Sequence, residues 1–352
     1  MKKILILLLV MGICFTAGCS SPLIDESNTA SQQRTVDNTQ NGIQDQGTRQ
    51  ESTAPEQTTP SKPGIYVTVY YQDKNGFLVP VSRKIDKQEG IARATITGLV
   101  DDAQNRENIE YYGLYPVLPA GTEVKGINIK EGTAVIDFNE SLLSYKNGEQ
   151  ERSIISSIVY TLTEFKTVQK VKILVNGRER SVLKYGTDIS GILNRDNILV
   201  NSSKANIAKN SSKADIFLLD TANEKYSYLL PVSMEYKGKA SGNLPGKIID
   251  LFGGNYGSDK LYSELPQKTK LRNVIIKDDL LVLDFNKELV SYGGGSARET
   301  AIVNQILLSM KQVKGINKVK ILVEGKENAM PEGTMSNSLA IPAVVNNVMD
   351  QK

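Results

Sequence analysis

The sequence predicts an α+β protein made of two tandem repeats, each a small mixed sheet with two helices packed on one face and an added N-terminal β-hairpin. Three observations carry this. The chain matches itself: LPAGTEVKGINIKEGTAVIDFN from Leu118 returns as LPQKTKLRNVIIKDDLLVLDFN from Leu265, and VQKVKILVNGRE from Val168 as INKVKILVEGKE from Ile316. Apolar residues alternate on either side of turn signals, as in strands half buried against a core. Between those strands, other segments space their apolar residues three and four apart, the helical period.

Composition bounds the chemistry first. The 352 residues, 40% hydrophobic and 23% charged, are globular and long enough for two domains. A formal charge of +3 leaves no electrostatic footprint for nucleic acid. The chain has no histidine, which excludes imidazole metal ligands, a Ser-His-Asp triad and a Cys-His pair. Its two cysteines, Cys14 and Cys19, both precede the folded body, which therefore has no disulfide framework or thiolate metal site. No cofactor is expected, although an enzyme could still work with Asp, Glu, Lys, Ser or Tyr.

The first element, MKKILILLLVMGICFTAGCSS, has two lysines, an apolar run from Ile4 to Phe15 and small residues up to Cys19. This is the layout of a secretory signal peptide, 1–18, whose apolar run is short for a membrane span. Thr16-Ala17-Gly18-Cys19 resembles the bacterial lipobox, with Thr16 where Leu is usual; it implies lipidation of Cys19 and a membrane anchor. An ordinary signal peptide that leaves Cys19 a free thiol is the alternative. Residues 19–63 are rich in Ser, Thr, Gln, Asn and Pro, too polar to offset ordering entropy, and read as a disordered tether spanning roughly 35 to 40 Å.

The first domain, 64–194, opens with IYVTVYYQ and FLVPVSRKI around Asp73-Lys74-Asn75-Gly76, a strong hairpin signal. EGIARATITGLVDDAQ follows, with Ile96, Leu99, Val100 and Ala103 on one helical face. After a loop rich in Tyr, Gly and Pro, the strands GINIK and AVIDF flank the turn Glu131-Gly132-Thr133. Ile154, Ile158, Leu162 and Phe165 then form a helical stripe, and KVKILV closes the copy. Residues 195–213 read as a polar linker, 214–345 as the second domain and 346–352 as a tail. Ile302, Ile306, Met310 and Val313 repeat the stripe, and Glu151 and Glu299 sit in the first turn of each such helix, where the dipole favours negative charge.

The repeated VIDFN and VLDFN raise the question of paired carboxylates. Alternation turns Ala134, Ile136 and Phe138 inward and Asp137 outward, and does the same for Leu281, Leu283, Phe285 and Asp284. Asp137 and Asp284 as a hydrolytic pair would have to lie roughly 5 to 10 Å apart in one cleft, which equivalent points of two separately folded repeats seldom do. The structural reading makes each aspartate a surface partner for Lys172 or Lys320, and makes Asn139 and Asn286 helix caps. Gly293-Gly294-Gly295 lacks a Walker lysine, and the Tyr111-Tyr112-Gly-Leu-Tyr115 patch is weighed between sugar or peptide binding and packing.

With V-x-D-F-N, its downstream helix and the closing V-K-I-L-V-x-G, each copy resembles the GerMN domain of bacterial sporulation and spore-germination proteins. The order helix, strand, strand, helix, strand also resembles the ring-building motif of secretins and forespore channel proteins. Two such copies behind a lipobox imply a non-enzymatic lipoprotein of a sporulating Gram-positive bacterium, needed for sporulation and germination. The resemblance places it on the extracytoplasmic side of the cell membrane, in the forespore intermembrane space. There it would scaffold a ring or channel complex between mother cell and forespore, with protein partners and no catalytic residue. The alternative is a protein that binds or hydrolyses spore peptidoglycan.

Overall fold

The computed structural model describes residues 64–350 apart from 221–224, 239–241, 328–329 and 334–337. The predicted signal peptide, the tether and Cys19 lie outside the described residues. In the first copy, β1 (Gly64–Asp73) and β2 (Leu78–Asp86) form the expected hairpin. The Asp73 carboxylate accepts from the amides of Asn75 (2.9 Å) and Phe77 (2.8 Å), and Gly76 takes the positive φ of 89° that the turn demands. Next come helices α1 (Ile91–Thr97) and α2 (Ala103–Ile109), and then β3 (Leu114–Tyr115), which pairs back on β1. The hairpin thus belongs to its own three-stranded sheet, ordered β2-β1-β3.

The core sheet follows. β4 (Val124–Lys130), β5 (Thr133–Phe138), β6 (Lys170–Val175) and β7 (Arg178–Glu179) are ordered β4-β5-β6-β7, with β5 and β6 parallel. Helix α3 (Gly148–Leu162) makes the crossover that a parallel pair requires. The second copy repeats the plan with β8 (Ser211–Asp220), β9 (Leu229–Lys237), α4 (Leu244–Leu251) and β10 (Leu261–Tyr262). Its core sheet has β11 (Leu271–Lys277), β12 (Leu280–Phe285), β13 (Lys318–Val323) and β14 (Leu339–Ala340), with α5 (Ser296–Met310) as crossover. Its two sheets are ordered β10-β8-β9 and β11-β12-β13-β14.

The α+β repeats are as the sequence predicts, with physical differences in detail. Each core sheet gains a short fourth strand. The first helix of copy one is two helices, because the chain leaves the helical path after Gly98. Val100 bridges Leu118, and Asp102 caps α2 by accepting from Asn105 N at 2.8 Å. Ile96, Leu99 and Val100 are buried as expected, and Ala103 is exposed.

Helix α3 is buried well beyond its predicted stripe, from Ile154 to Leu162 without a break. The reason is its position: it touches β1 and β2 on one side and β6 on the other, so no face is left for water. Side chains of both copies join one hydrophobic core within a compact unit, Thr59–Lys352. The predicted linker is built into that unit, and its last three residues, 211–213, already belong to β8.

Candidate functional site

The repeated motif is a pair of backbone clamps in each copy. At the end of β6 the chain turns through Asn176 and Gly177, both at positive φ (52° and 71°), and the Gly177 N–H donates to Asp137 Oδ1 at 2.8 Å. In the second copy Glu324 and Gly325 take φ of 52° and 75°, and Gly325 N–H donates to Asp284 Oδ1, also at 2.8 Å. The aspartate of V-x-D-F-N therefore fixes the turn of V-x-G on the neighbouring strand. The two motifs that mark the repeat are halves of one device.

The asparagines correct the sequence reading. Asn139 and Asn286 do precede short 3-10 turns, but neither side chain caps them. Asn139 instead accepts from Glu123 N at 3.1 Å and donates to Gly121 O at 2.8 Å. Asn286 does the same with Lys270 N and Lys268 O, both at 3.0 Å. Each asparagine holds the loop that enters the first strand of its sheet. The expected lysine pairs are also corrected: Lys172 pairs with Glu179 and Lys320 with Glu327, while Asp284 lies 3.5 Å from Arg272.

Glu151 and Glu299 do more than face a helix dipole. Both are fully buried. Glu151 accepts from Tyr185 N (2.8 Å) and Thr187 N (2.9 Å), tying the loop after β7 to α3. Burial works to raise its carboxyl, but the hydrogen bonds from Thr187 and Tyr185 outweigh that and hold it below the ordinary range. Glu299 accepts from Glu332 N at 2.9 Å and from the Tyr292 hydroxyl.

A further polar constellation among the described residues lies where the copies meet, and sequence reasoning missed it. The outer strands β2 and β9 face each other and carry matched residues at a constant spacing of 151: Leu78 and Leu229, Pro80 and Pro231, Ser82 and Ser233. Proline has no N–H, so these strands cannot close into an ordinary ladder. Asn201, just after the first copy, accepts from Leu78 N (2.7 Å) and donates to Leu78 O and Pro231 O (both 2.8 Å). Asn346, after the second copy, accepts from Leu229 N (3.0 Å) and donates to Leu229 O and Pro80 O (both 2.7 Å).

The preceding residues are reciprocal too. Val200 exchanges backbone and hydroxyl bonds with Ser233 (both 2.9 Å), and Val345 with Ser82 (both 2.8 Å). Each copy's trailing Val-Asn is thus seated on the other copy in equivalent contacts, the pattern of a two-fold isologous interface made within one chain. Val-Asn also occurs at Val175 and Val303, so the dipeptide alone did not mark these two segments in the sequence.

Charges reinforce the same seam. Glu164 at the end of α3 receives Arg195 Nη2 at 2.6 Å, Lys311 Nζ at 2.7 Å and the Tyr70 hydroxyl at 3.0 Å. Burial opposes its ionisation, but Arg195 and Lys311 outweigh burial and hold the carboxyl at about 2. Beside it, Lys213 Nζ donates to Asp215 (2.9 Å), Tyr160 (2.8 Å) and Ile198 O (3.0 Å). Asp215 also accepts from the hydroxyls of Tyr160 (2.7 Å) and Ser233 (2.6 Å). Tyr112 of the tyrosine patch joins in, its carbonyl accepting from the buried Tyr228 hydroxyl at 2.6 Å.

The polar groups of this arrangement hold backbone. Asp137 and Asp284 belong to different sheets, each tied to its own turn. Besides Asp215, Tyr160 and Ile198 O, Lys213 Nζ reaches Ser233 Oγ at 3.3 Å, and the Ser233 hydroxyl donates to Asp215. Among the described residues no group of His, Cys, Asp and Glu could hold a metal ion, and no helix is long and apolar enough to cross a membrane.

Comparison with known proteins agrees with this architecture. The family model Germane, described as sporulation and spore germination, matches residues 68–181 and 216–329. The chain is 30% identical over 273 residues to the spore germination protein GerM of Bacillus subtilis (strain 168), covering 75% of this chain and 73% of that one. It superposes on the solved tandem GerMN domains of the sporulation protein GerM from Bacillus subtilis with a TM-score of 0.71 and 27% identity, covering 80% of this chain and all of the other.

Proposed function

We propose, since the chain belongs to the Germane family of sporulation and spore-germination proteins, that it acts there as a membrane-anchored, non-enzymatic assembly factor. The observation that carries this reading is the seam: two small α+β domains are locked to each other through Asn201, Asn346 and Glu164. The polar residues of the repeat motif are committed to holding turns. What such a body presents is a fixed surface, suited to docking in a larger assembly. A lipid on Cys19 would hold it on the outer side of the cell membrane, and in a sporulating cell this is the space between mother cell and forespore. The partners in this reading are components of a ring or channel complex at the forespore membranes.

Crosslinking in sporulating cells, followed by recovery of the protein from membranes made during engulfment, tests the proposal. Partners from such a complex are expected, and their loss together with membrane association is expected for Cys19→Ala. A clean monomer without partners would count against assembly, and an unchanged membrane fraction for Cys19→Ala would sink the anchor. Incubation with purified peptidoglycan examines the enzymatic alternative: release of fragments that is abolished by Asp137→Asn or Asp284→Asn would defeat the non-enzymatic reading.

A further inference from the structure

Strand β11 forms one edge of the second copy's core sheet, and no described strand pairs with its outer side. Free edges template association, and proteins blunt them with bulges and lysines. Both devices are present. The pairing with β12 slips between Leu271 and Asn273, as that of β4 with β5 slips between Val124 and Gly126, and the Asn273 carboxamide accepts from Val274 N at 2.9 Å. Beyond the slip, though, β11 presents Ile275 and Ile276, 51% and 57% exposed, on opposite faces. The first copy has Asn128 and Ile129 at these positions, so the exposed apolar pair is particular to the second.

Charge divides the two edges further. From Leu265 to Lys277 the chain carries Lys268, Lys270, Arg272 and Lys277 and no acidic residue, whereas the matching stretch from Leu118 to Lys130 has Lys125 and Lys130 with Glu123. Arg272 is engaged by Asp284; Lys268, Lys270 and Lys277 make no ion pair with any described residue. Such an edge repels a second copy of itself, since antiparallel pairing would bring like charges together. It complements a strand of the opposite charge.

We propose that β11 is a docking edge that takes, by strand addition, an extended segment of a partner protein in which acidic and aliphatic residues alternate. Main-chain bonds along Val274–Lys277 would supply affinity; Lys270, Lys277 and the two isoleucines would select the sequence. The inference rests on the assembly reading for its biological setting, but its test uses the purified full-length chain alone, so either can fail without the other.

The probe is a dye-labelled peptide, Ser-Glu-Val-Glu-Val-Glu-Val-Ser, followed by fluorescence anisotropy, with an all-glutamate peptide of equal length and a Lys-for-Glu peptide as controls. The alternating acidic peptide should bind saturably and slow amide exchange at residues 274–277. Ile276→Asp, and Lys270→Glu with Lys277→Glu, should each weaken it at least tenfold while leaving the melting temperature unchanged, since these side chains are at the surface. Absence of binding, equal binding of the all-glutamate peptide, or unchanged exchange at 274–277 would overturn the proposal.

Discussion

Asp137 and Asp284, which the sequence raises as a candidate carboxylate pair, are each engaged in holding a turn of their own sheet. Each accepts a turn amide at 2.8 Å from a glycine at positive φ. A hydrogen bond to a charged group contributes about 1.5 to 3 kcal/mol, and partial exposure here puts the effect at the low end. Asp137→Ala should therefore lower unfolding stability by about 1 to 2 kcal/mol, read from the urea midpoint at unchanged slope; a midpoint equal to wild type would refute the clamp. Glu164 gives a test in pH. Its carboxyl is depressed from an ordinary 4.5 to about 2, so it contributes stability that is present above 4.5 and lost as pH falls through the folded value. The shift corresponds to about 3 kcal/mol. The stability gap between wild type and Glu164→Gln should be of that order at pH 7 and shrink steadily between pH 4.5 and 2. A gap unchanged across that window would contradict the assignment.

Among the elements, those with a local cause were legible. The hairpin of β1 and β2 followed from Asp73-Lys74-Asn75-Gly76, and the inward faces of β5 and β12 from strict alternation. The break between α1 and α2 was not legible, because a tertiary bridge from Val100 to Leu118 decides it against helical periodicity. The burial of α3 on every side was hidden for the same reason: Ser157 and Thr161 look like a polar face, yet they bond the open backbone edge of β1 at Tyr70 O (2.7 Å) and Tyr70 N (3.1 Å). Least legible were the Val-Asn segments, one read as part of the linker and the other split between the end of the second domain and the start of the tail. Asn201 sits at φ 51° and completes three backbone groups from two copies. Asn201→Ala would leave those groups short of partners and should cost about 2 to 4 kcal/mol. Chemical denaturation checks this, with Asn206→Ala in the same connector, exposed and unbonded, as the variant expected to be neutral.

At the scale of the whole molecule, the duplication was plain in the sequence and its consequence was not. A repeat separated by a polar stretch reads as two domains on a linker. Here the stretch is the mortar: Arg195, Val200, Asn201 and Lys213 all bond across or along the seam, and the cores of both copies are continuous. Such contacts join residues 30 to 53 positions apart, and 123 apart where Asn201 meets Leu78, and use backbone groups that no periodicity reports. The repeated Asp and Asn of this chain serve the same body, since each holds a loop or turn of its own sheet. Differential scanning calorimetry of the purified chain tests this most directly. One welded unit predicts a single transition whose van't Hoff enthalpy equals the calorimetric enthalpy. Two separable transitions, or a van't Hoff enthalpy near half the calorimetric value, would mean that the copies fold independently and would contradict it.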